Sequence, residues 1–237
     1  MLVICISGTK DQIYRDLKKG SRFNVAYEFR LDLMPAVTEK CLKQLVKMAK
    51  GPVIFTLRDT NNGGEFHGSQ TEKNIILNKL QKLKPDFIDL DYNSTFFDKV
   101  EKGIKVICSY HNFLNTPLNI SDILGDMKKK KADIYKIATK ACSSLDVFRL
   151  FDLHRSEKSL TCIGMGEKGE FSRIIGPIIG NRLNYTFFER NIAPGQLPFN
   201  ILYENYKILK LNQSTKIFCL IGNPIRQSIG HLFHNNL

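Results

Sequence analysis

The chain has 237 residues, of which 43% are hydrophobic and 24% charged, with 16 Gly and 8 Pro. These are globular proportions and exclude disordered, collagenous and coiled-coil chains. The net charge of +12 comes from 35 Lys+Arg against 23 Asp+Glu. It is spread along expected helices rather than gathered on one face, so nucleic acid is not an expected partner.

No apolar run approaches the ~20 residues of a membrane span, so no membrane partner is expected. Residues 1–6 read as a first strand. They lack the basic lead and small-residue cleavage site of a signal peptide. The six cysteines, at 5, 41, 108, 142, 162 and 219, form no C-x-x-C pair. That pattern predicts reduced thiols, a cytoplasmic protein and no zinc site.

In chain order, the pattern predicts strands at 3–7 and 24–30, an amphipathic helix over 37–49 and a strand at 53–57. A helix over 71–83 follows, then strands at 87–90, 105–109 and 134–137. A helix over 144–153, strands at 160–163 and 184–187, and a helix over 198–211 complete the series. The lysine run 128–131 reads as the last turn of a helix, where cations suit the helix dipole. Parallel strands need crossover helices, and eight strand units within one domain are the arithmetic of a (β/α)8 barrel. A doubly wound sheet would want a G-x-G-x-x-G turn after the first strand, and the residues after Gly8 do not supply it.

Polar residues crowd the C-terminal ends of the expected strands, the rim where barrel enzymes do chemistry. Glu28 and Arg30 close the second strand, with Asp32 two residues on. Arg58 follows the third, Asp89 and Asp91 the fourth and His111 the fifth. Lys136 lies within the sixth, Arg173 follows the seventh and Gln196 the eighth.

A lysine inside an apolar strand is either an edge residue facing water or an amine held in the barrel. In the second case it can attack a ketone. His111 is either structural or a proton shuttle. Glu28, Arg30 and Asp32 alternate on one face, as an ion pair or as a clamp for a polyol. The Gly63-Gly64 loop suits a lid or a plain turn. The glycines of 164–173 precede a helix start and suggest an anion cradle. His231 and His234 stand three apart without a third ligand, so no metal is expected.

These residues lie in motifs. They are E-x-R-x-D at 28–32, T-x-R at 56–58 with Gly63-Gly64, S-Y-H-N-F at 109–113, A-D-I-x-K-I-A at 132–138, M-G-x-x-G-x-x-S-R at 165–173 and A-P-G-Q at 193–196. In this order and spacing the chain resembles type I 3-dehydroquinate dehydratase over roughly residues 1–210. The resemblance implies a cofactor-free dehydration of 3-dehydroquinate to 3-dehydroshikimate in the shikimate pathway. It implies Lys136 as the Schiff-base lysine and His111 as the acid/base. It further implies Arg173 and Gln196 as binders of the C1 substituents, with Arg173 on the carboxylate. Glu28, Arg30 and Arg58 would bind ring hydroxyls and orient the ketone.

Three departures stand out. Asn62 replaces the usual Glu that supports the histidine, Ile192 replaces a usual Ser, and Cys5 stands near the family's N-terminal serine.

The tail is similar to the opening strand and loop of shikimate dehydrogenase, through Gly222-Asn223-Pro224, Ser228 and His234-Asn235. The expectation is a barrel over 1–212 and, over 213–237, a linker and the start of a truncated second domain, covalently linked to a shikimate dehydrogenase in the full protein. Oligomeric state is left open. The rival readings are a class I aldolase, which shares the barrel and lysine but usually takes phosphorylated substrates, and a non-enzymatic module binding RNA or another anion.

Overall fold

Strands of three to eight residues, alternating with helices, build the molecule. The computed structural model describes residues 1–34, 37–218, 228–230, 234 and 235. The strands are β1 (Leu2–Ile6), β2 (Ala26–Arg30), β3 (Val53–Thr56), β4 (Phe87–Asp91), β5 (Lys105–Asn112), β6 (Ile134–Lys140), β7 (Leu160–Met165) and β8 (Asn184–Thr186). All pairings are parallel, in the order β7-β6-β5-β4-β3-β2-β1-β8. This is the expected (β/α)8 barrel, nearly closed.

The helices are α1 (Lys10–Gly20), α2 (Glu39–Met48), α3 (Gln70–Leu80), α4 (Ile120–Met127), α5 (Ser144–Asp152) and α6 (Ser172–Ile179). Thr9, Ser69 and Ser143 start α1, α3 and α5 with reciprocal capping boxes. Each box satisfies backbone N–H groups that a helix start leaves orphaned. The run 128–131 begins where α4 ends, with Lys129 paired to Asp126 at 2.7 Å and Lys128 to Glu157 at 3.0 Å.

The expected helix over 198–211 forms only over 199–205. A wide π turn (Ile201–Asn205) and a 3-10 turn (Ile208–Lys210) stand there, separated by Lys207 at φ 50°. A left-handed residue ends any helix it follows. Aromatic packing supplies the cover instead, with Phe199 between Phe23 at 4.6 Å and Phe188 at 4.9 Å.

β7 and β8 are the two ends of the strand order, so the seam between them lacks a backbone ladder among the described residues. One backbone bond and several side chains replace it. Leu160 O accepts from Arg182 N at 2.9 Å. Asn181 accepts from Cys162 N at 2.8 Å and donates to Cys162 O at 3.0 Å. The Ser172 hydroxyl bonds Gly164 N at 3.0 Å and Gly164 O at 3.3 Å. Alternate residues of the unpaired β7 edge are thereby satisfied in turn, as buried backbone groups require.

The barrel interior is layered. Val3, Ala26, Ile54, Phe87, Ile107 and Ile134 form an apolar floor. Two positions further along the same strands, the buried inward residues turn polar: Glu28, Thr56, Asp89, Ser109 and Lys136. A second apolar shell, including Ile4, Phe29, Phe55, Ile88, Cys108 and Ile137, packs the strands against the helices. A closed floor beneath a polar layer makes the C-terminal rim the open face of the barrel. No helix of the described residues is long and apolar enough to cross a membrane.

Candidate active site

A cleft of about 550 Å³ opens at this rim. Its lining includes Lys136, His111, Glu28, Arg30, Arg58, Arg173, Gln196, Asn62 and Cys5. Seven different strands or their following loops therefore bring these nine residues to one place.

Lys136 sits in mid-β6, 5% exposed. It faces inward, not water at an edge. Its Nζ donates to Asp89 Oδ2 at 2.6 Å and lies 3.6 Å from Glu28 Oε1. The Tyr185 hydroxyl is 3.5 Å away and the Tyr185 ring centroid 4.5 Å. Burial alone would raise the Asp89 carboxyl, but Arg58 and Lys136 outweigh it and hold Asp89 well below the usual carboxylate range.

Arg58 donates to Asp89 at 2.9 Å and also to Asp91, both carboxylates being buried. Arg30 forks onto Asp32 at 3.0 and 2.7 Å. Asp32 also accepts the backbone N–H groups of Arg58 at 3.4 Å and Glu65 at 3.2 Å, so it ties the β3 loop to β2. Glu28 accepts from Thr56 Oγ1 at 2.9 Å and from Cys5 Sγ at 3.4 Å. Burial, and next the Glu28 charge, push the Cys5 thiol up, so it remains a neutral donor.

His111 ends β5 with its ring stacked on Phe113, centroids 6.3 Å apart. Its Nδ1 is buried without a hydrogen-bond partner. Burial, then the Arg58 and Lys136 cations, lower its pKa well below the ordinary histidine value; Asp89 opposes them more weakly. The ring is therefore neutral at pH 7, a base ready to take a proton.

Asn62, the supporting candidate, is turned away. Its amide donates to Asp59 Oδ1 at 2.7 Å rather than to the imidazole. Gly63 beside it has φ +78°, and a Cβ there would meet the Phe113 ring at 2.1 Å. Only glycine fits this close approach of loop and aromatic.

Arg173 is a buried guanidinium with no carboxylate against it. Its Nη2 donates to Pro194 O at 3.4 Å, and its Nε is buried without a partner among the described residues. Burial brings its pKa down to about 10. Gln196 donates to Cys5 Sγ at 3.2 Å, leaving a buried Oε1 unpartnered. A buried cation beside an orphaned acceptor is a site awaiting an anionic, hydroxylated ligand.

The glycines of 164–173 do not make an anion cradle. The N–H of Gly166 goes to Pro194 O at 3.3 Å and that of Gly169 to Gly166 O at 3.0 Å. A Cβ on Gly169 would meet Gly164 C at 2.3 Å, so these glycines serve tight packing of the turn on β7.

Sequence reasoning placed Asp89 and Asp91 at the rim without giving them a role, and it missed Tyr185 and Lys73. The aspartates had a signal: their alternation in Phe87–Asp91 puts both on the inner face. Lys73 had none, being one polar helix residue among many.

The family profile of type I 3-dehydroquinase matches residues 3–213. The bifunctional 3-dehydroquinate dehydratase/shikimate dehydrogenase of Arabidopsis thaliana is 31% identical over 221 residues, covering 88% of this chain but 36% of that protein. The 3-dehydroquinate dehydratase of Methanocaldococcus jannaschii is 29% identical over 224 residues, covering 88% of this chain and 100% of that protein. Among solved structures, the type I 3-dehydroquinate dehydratase of Clostridium difficile superposes with a TM-score of 0.78 at 26% identity, over 88% of this chain and 91% of its own. With the barrel, the rim cleft and a profile match across most of its length, the chain belongs to the type I 3-dehydroquinase family.

Proposed function

We infer that this protein dehydrates 3-dehydroquinate to 3-dehydroshikimate through an imine on Lys136. The observation that carries the reading is the pairing, in one cleft, of a buried amine with a buried guanidinium that forms no ion pair among the described residues. A ketone answers the first and a carboxylate the second. Lys136 Nζ attacks the C3 carbonyl, and loss of water leaves an iminium. His111 removes a C2 proton, and the electron pair flows into the iminium to give an enamine. The enamine expels the C1 hydroxyl, which leaves as water with the proton His111 returns to it on the same face, a syn elimination. Water then hydrolyses the conjugated iminium, freeing product and amine. Arg173 holds the carboxylate and Gln196 Oε1 accepts from a C1 substituent. Glu28, Arg30 and Arg58 orient the ring hydroxyls and the ketone.

Borohydride added with 3-dehydroquinate should leave a reduced adduct on the Lys136 peptide, and none in Lys136→Ala. An unchanged intact mass would overturn the mechanism. Failure to form an ultraviolet-absorbing enone would overturn the activity.

The same inference extends to the tail, as a linker and the opening of a shikimate dehydrogenase-like domain over 213–237. Its support is the sequence resemblance and the bifunctional Arabidopsis relative. Most of the motif, including Gly222-Asn223-Pro224 and His231, lies outside the described residues. An antibody to the barrel should detect a native protein well above the mass of this chain; a band at that mass would overturn the fusion. The cysteines among the described residues are all free, which supports a reducing compartment such as the cytoplasm.

A further inference from the structure

Lys73 lies in the first turns of α3, behind the cleft, and is 2% exposed. A lysine is almost never buried so deeply without a task for its charge. Its Nζ donates to Asp91 Oδ2 at 2.8 Å and to Asp59 Oδ2 at 3.1 Å. Asp91 uses its other oxygen for Arg58, Arg58 gives its second amino group to Asp89, and Asp89 gives its second oxygen to Lys136. Every side chain from Lys73 to Lys136 along this line is 6% exposed or less.

We propose that Lys73 is a positioning residue for the reaction, setting the placement and protonation of the Lys136 amine through the buried relay Lys73–Asp91–Arg58–Asp89. The inference rests on Lys136 being the imine-forming amine.

The physical reason is the division of charge. With Lys73 on one Asp91 oxygen, Asp91 takes only part of Arg58, and the guanidinium stays shared with Asp89. Without Lys73, Asp91 becomes a half-paired carboxylate in a dry site, and Arg58 swings onto it. Asp89 then keeps Lys136 as its main counter-ion, and an ammonium locked to a carboxylate cannot attack a carbonyl. The other groups facing Lys136 leave this sign unchanged. They are Glu28 from β2, the Tyr185 hydroxyl from β8 and neutral His111 from β5. On the far side Lys73 is also the ion-pair partner of Asp59, so losing Lys73 adds net negative charge there too.

Trace acetylation of Lys136 by acetic anhydride, read by mass spectrometry across a pH series, tests this without substrate. In Lys73→Met the pH of half-maximal labelling should rise by roughly 1 unit, the scale of one buried charge lost nearby. Turnover of 3-dehydroquinate should fall by ~10–10²-fold in kcat with KM little changed, because misplacement of a reacting group by 1 Å costs up to ~10²-fold.

In Lys73→Met/Asp91→Asn the paired charges leave together. The labelling midpoint should return to the wild-type value while kcat stays low, since Arg58 has lost an anchor. A Lys73→Met protein with wild-type labelling and kcat, but a lower melting temperature, would overturn the proposal and leave Lys73 as scaffolding. Should that variant fail to fold, a double variant with wild-type kcat would overturn it equally. A wild-type chain inert toward 3-dehydroquinate would end the functional reading, yet the labelling shift would still judge the relay. An active chain with unmoved labelling would end the relay alone.

Discussion

His111 carries its proton problem in the open: a buried Nδ1 with no partner and three cations, Arg58, Lys136 and Arg30, in its field. In the family pattern a glutamate would face this ring; here Asn62 spends its amide on Asp59. Burial by itself would raise Asp59, but Lys73 and the Asn62 amide hold its carboxyl below the ordinary value. Glu65 is exposed and meets the site only through its backbone N–H on Asp32, so it does not take over the missing role.

Two outcomes follow at this scale. His111→Ala should lose ~10²–10⁴-fold in kcat, the worth of a positioned acid/base, while borohydride-trappable imine accumulates because Lys136 is untouched. Trapping that vanished with turnover would move His111 into imine formation. Asn62→Glu should set a carboxylate beside the imidazole and favour imidazolium. The base would then need a higher pH to be neutral. The acid limb of kcat/KM should move upward, by up to ~1–3 units if the pair is dry. An unmoved limb would mean the new carboxylate stays on the Asp59 side of the loop.

Among the elements, the seam between β7 and β8 is where the barrel depends most on single side chains. Asn181 serves Cys162 N, Cys162 O and His154 Nε2 at once, the last at 2.9 Å. Asn181→Ala leaves buried backbone groups unpaired, at ~1–3 kcal/mol each. A loss of roughly 2–5 kcal/mol is expected in denaturant unfolding, with the midpoint falling and the slope kept. A loss below ~0.5 kcal/mol, an ordinary surface value, would mean water or backbone closes the seam instead. Because Met165 of β7 and Tyr185 of β8 both line the cleft, loosening the seam should also raise KM.

For the whole molecule, acid sensitivity is a balance of buried groups. Burial lowers His111 and His154 below the ordinary histidine value. In the unfolded chain both take up protons as pH falls through ~6.5. The folded state resists that uptake, so the stability these two contribute is full above ~6.5 and is lost as pH drops toward their folded values. Asp16 opposes them. Burial raises it to about 6, so between there and its unfolded value the folded state binds the extra proton and gains. Stability should therefore decline gently on acidification below ~6.5. Asp16→Asn, which removes the opposing gain, should decline more steeply. Equal slopes for the two proteins across pH 4–6.5 would show that Asp16 does not titrate there.

Much of this protein was legible in its amino-acid order. Period-two and period-3.6 hydrophobicity reflects which face of a local element meets the core, so all eight strands and the helices at α2, α3 and α5 could be read directly. Lys136 in mid-strand and the charged strand ends marked the rim, because a barrel places those positions at one opening. What the tertiary structure decided were the partners. The Lys136–Asp89–Arg58–Asp91–Lys73 line joins residues on two strands, a loop and a helix, and Asn62 turned to Asp59 rather than to His111. The failure of 198–211 to form one helix, set by Lys207 at φ 50° and the Phe199 aromatic packing, belongs here as well. A side chain's period records whether it is buried. Which charge it meets there depends on distances between strands far apart in sequence, and those exist only once the barrel has closed.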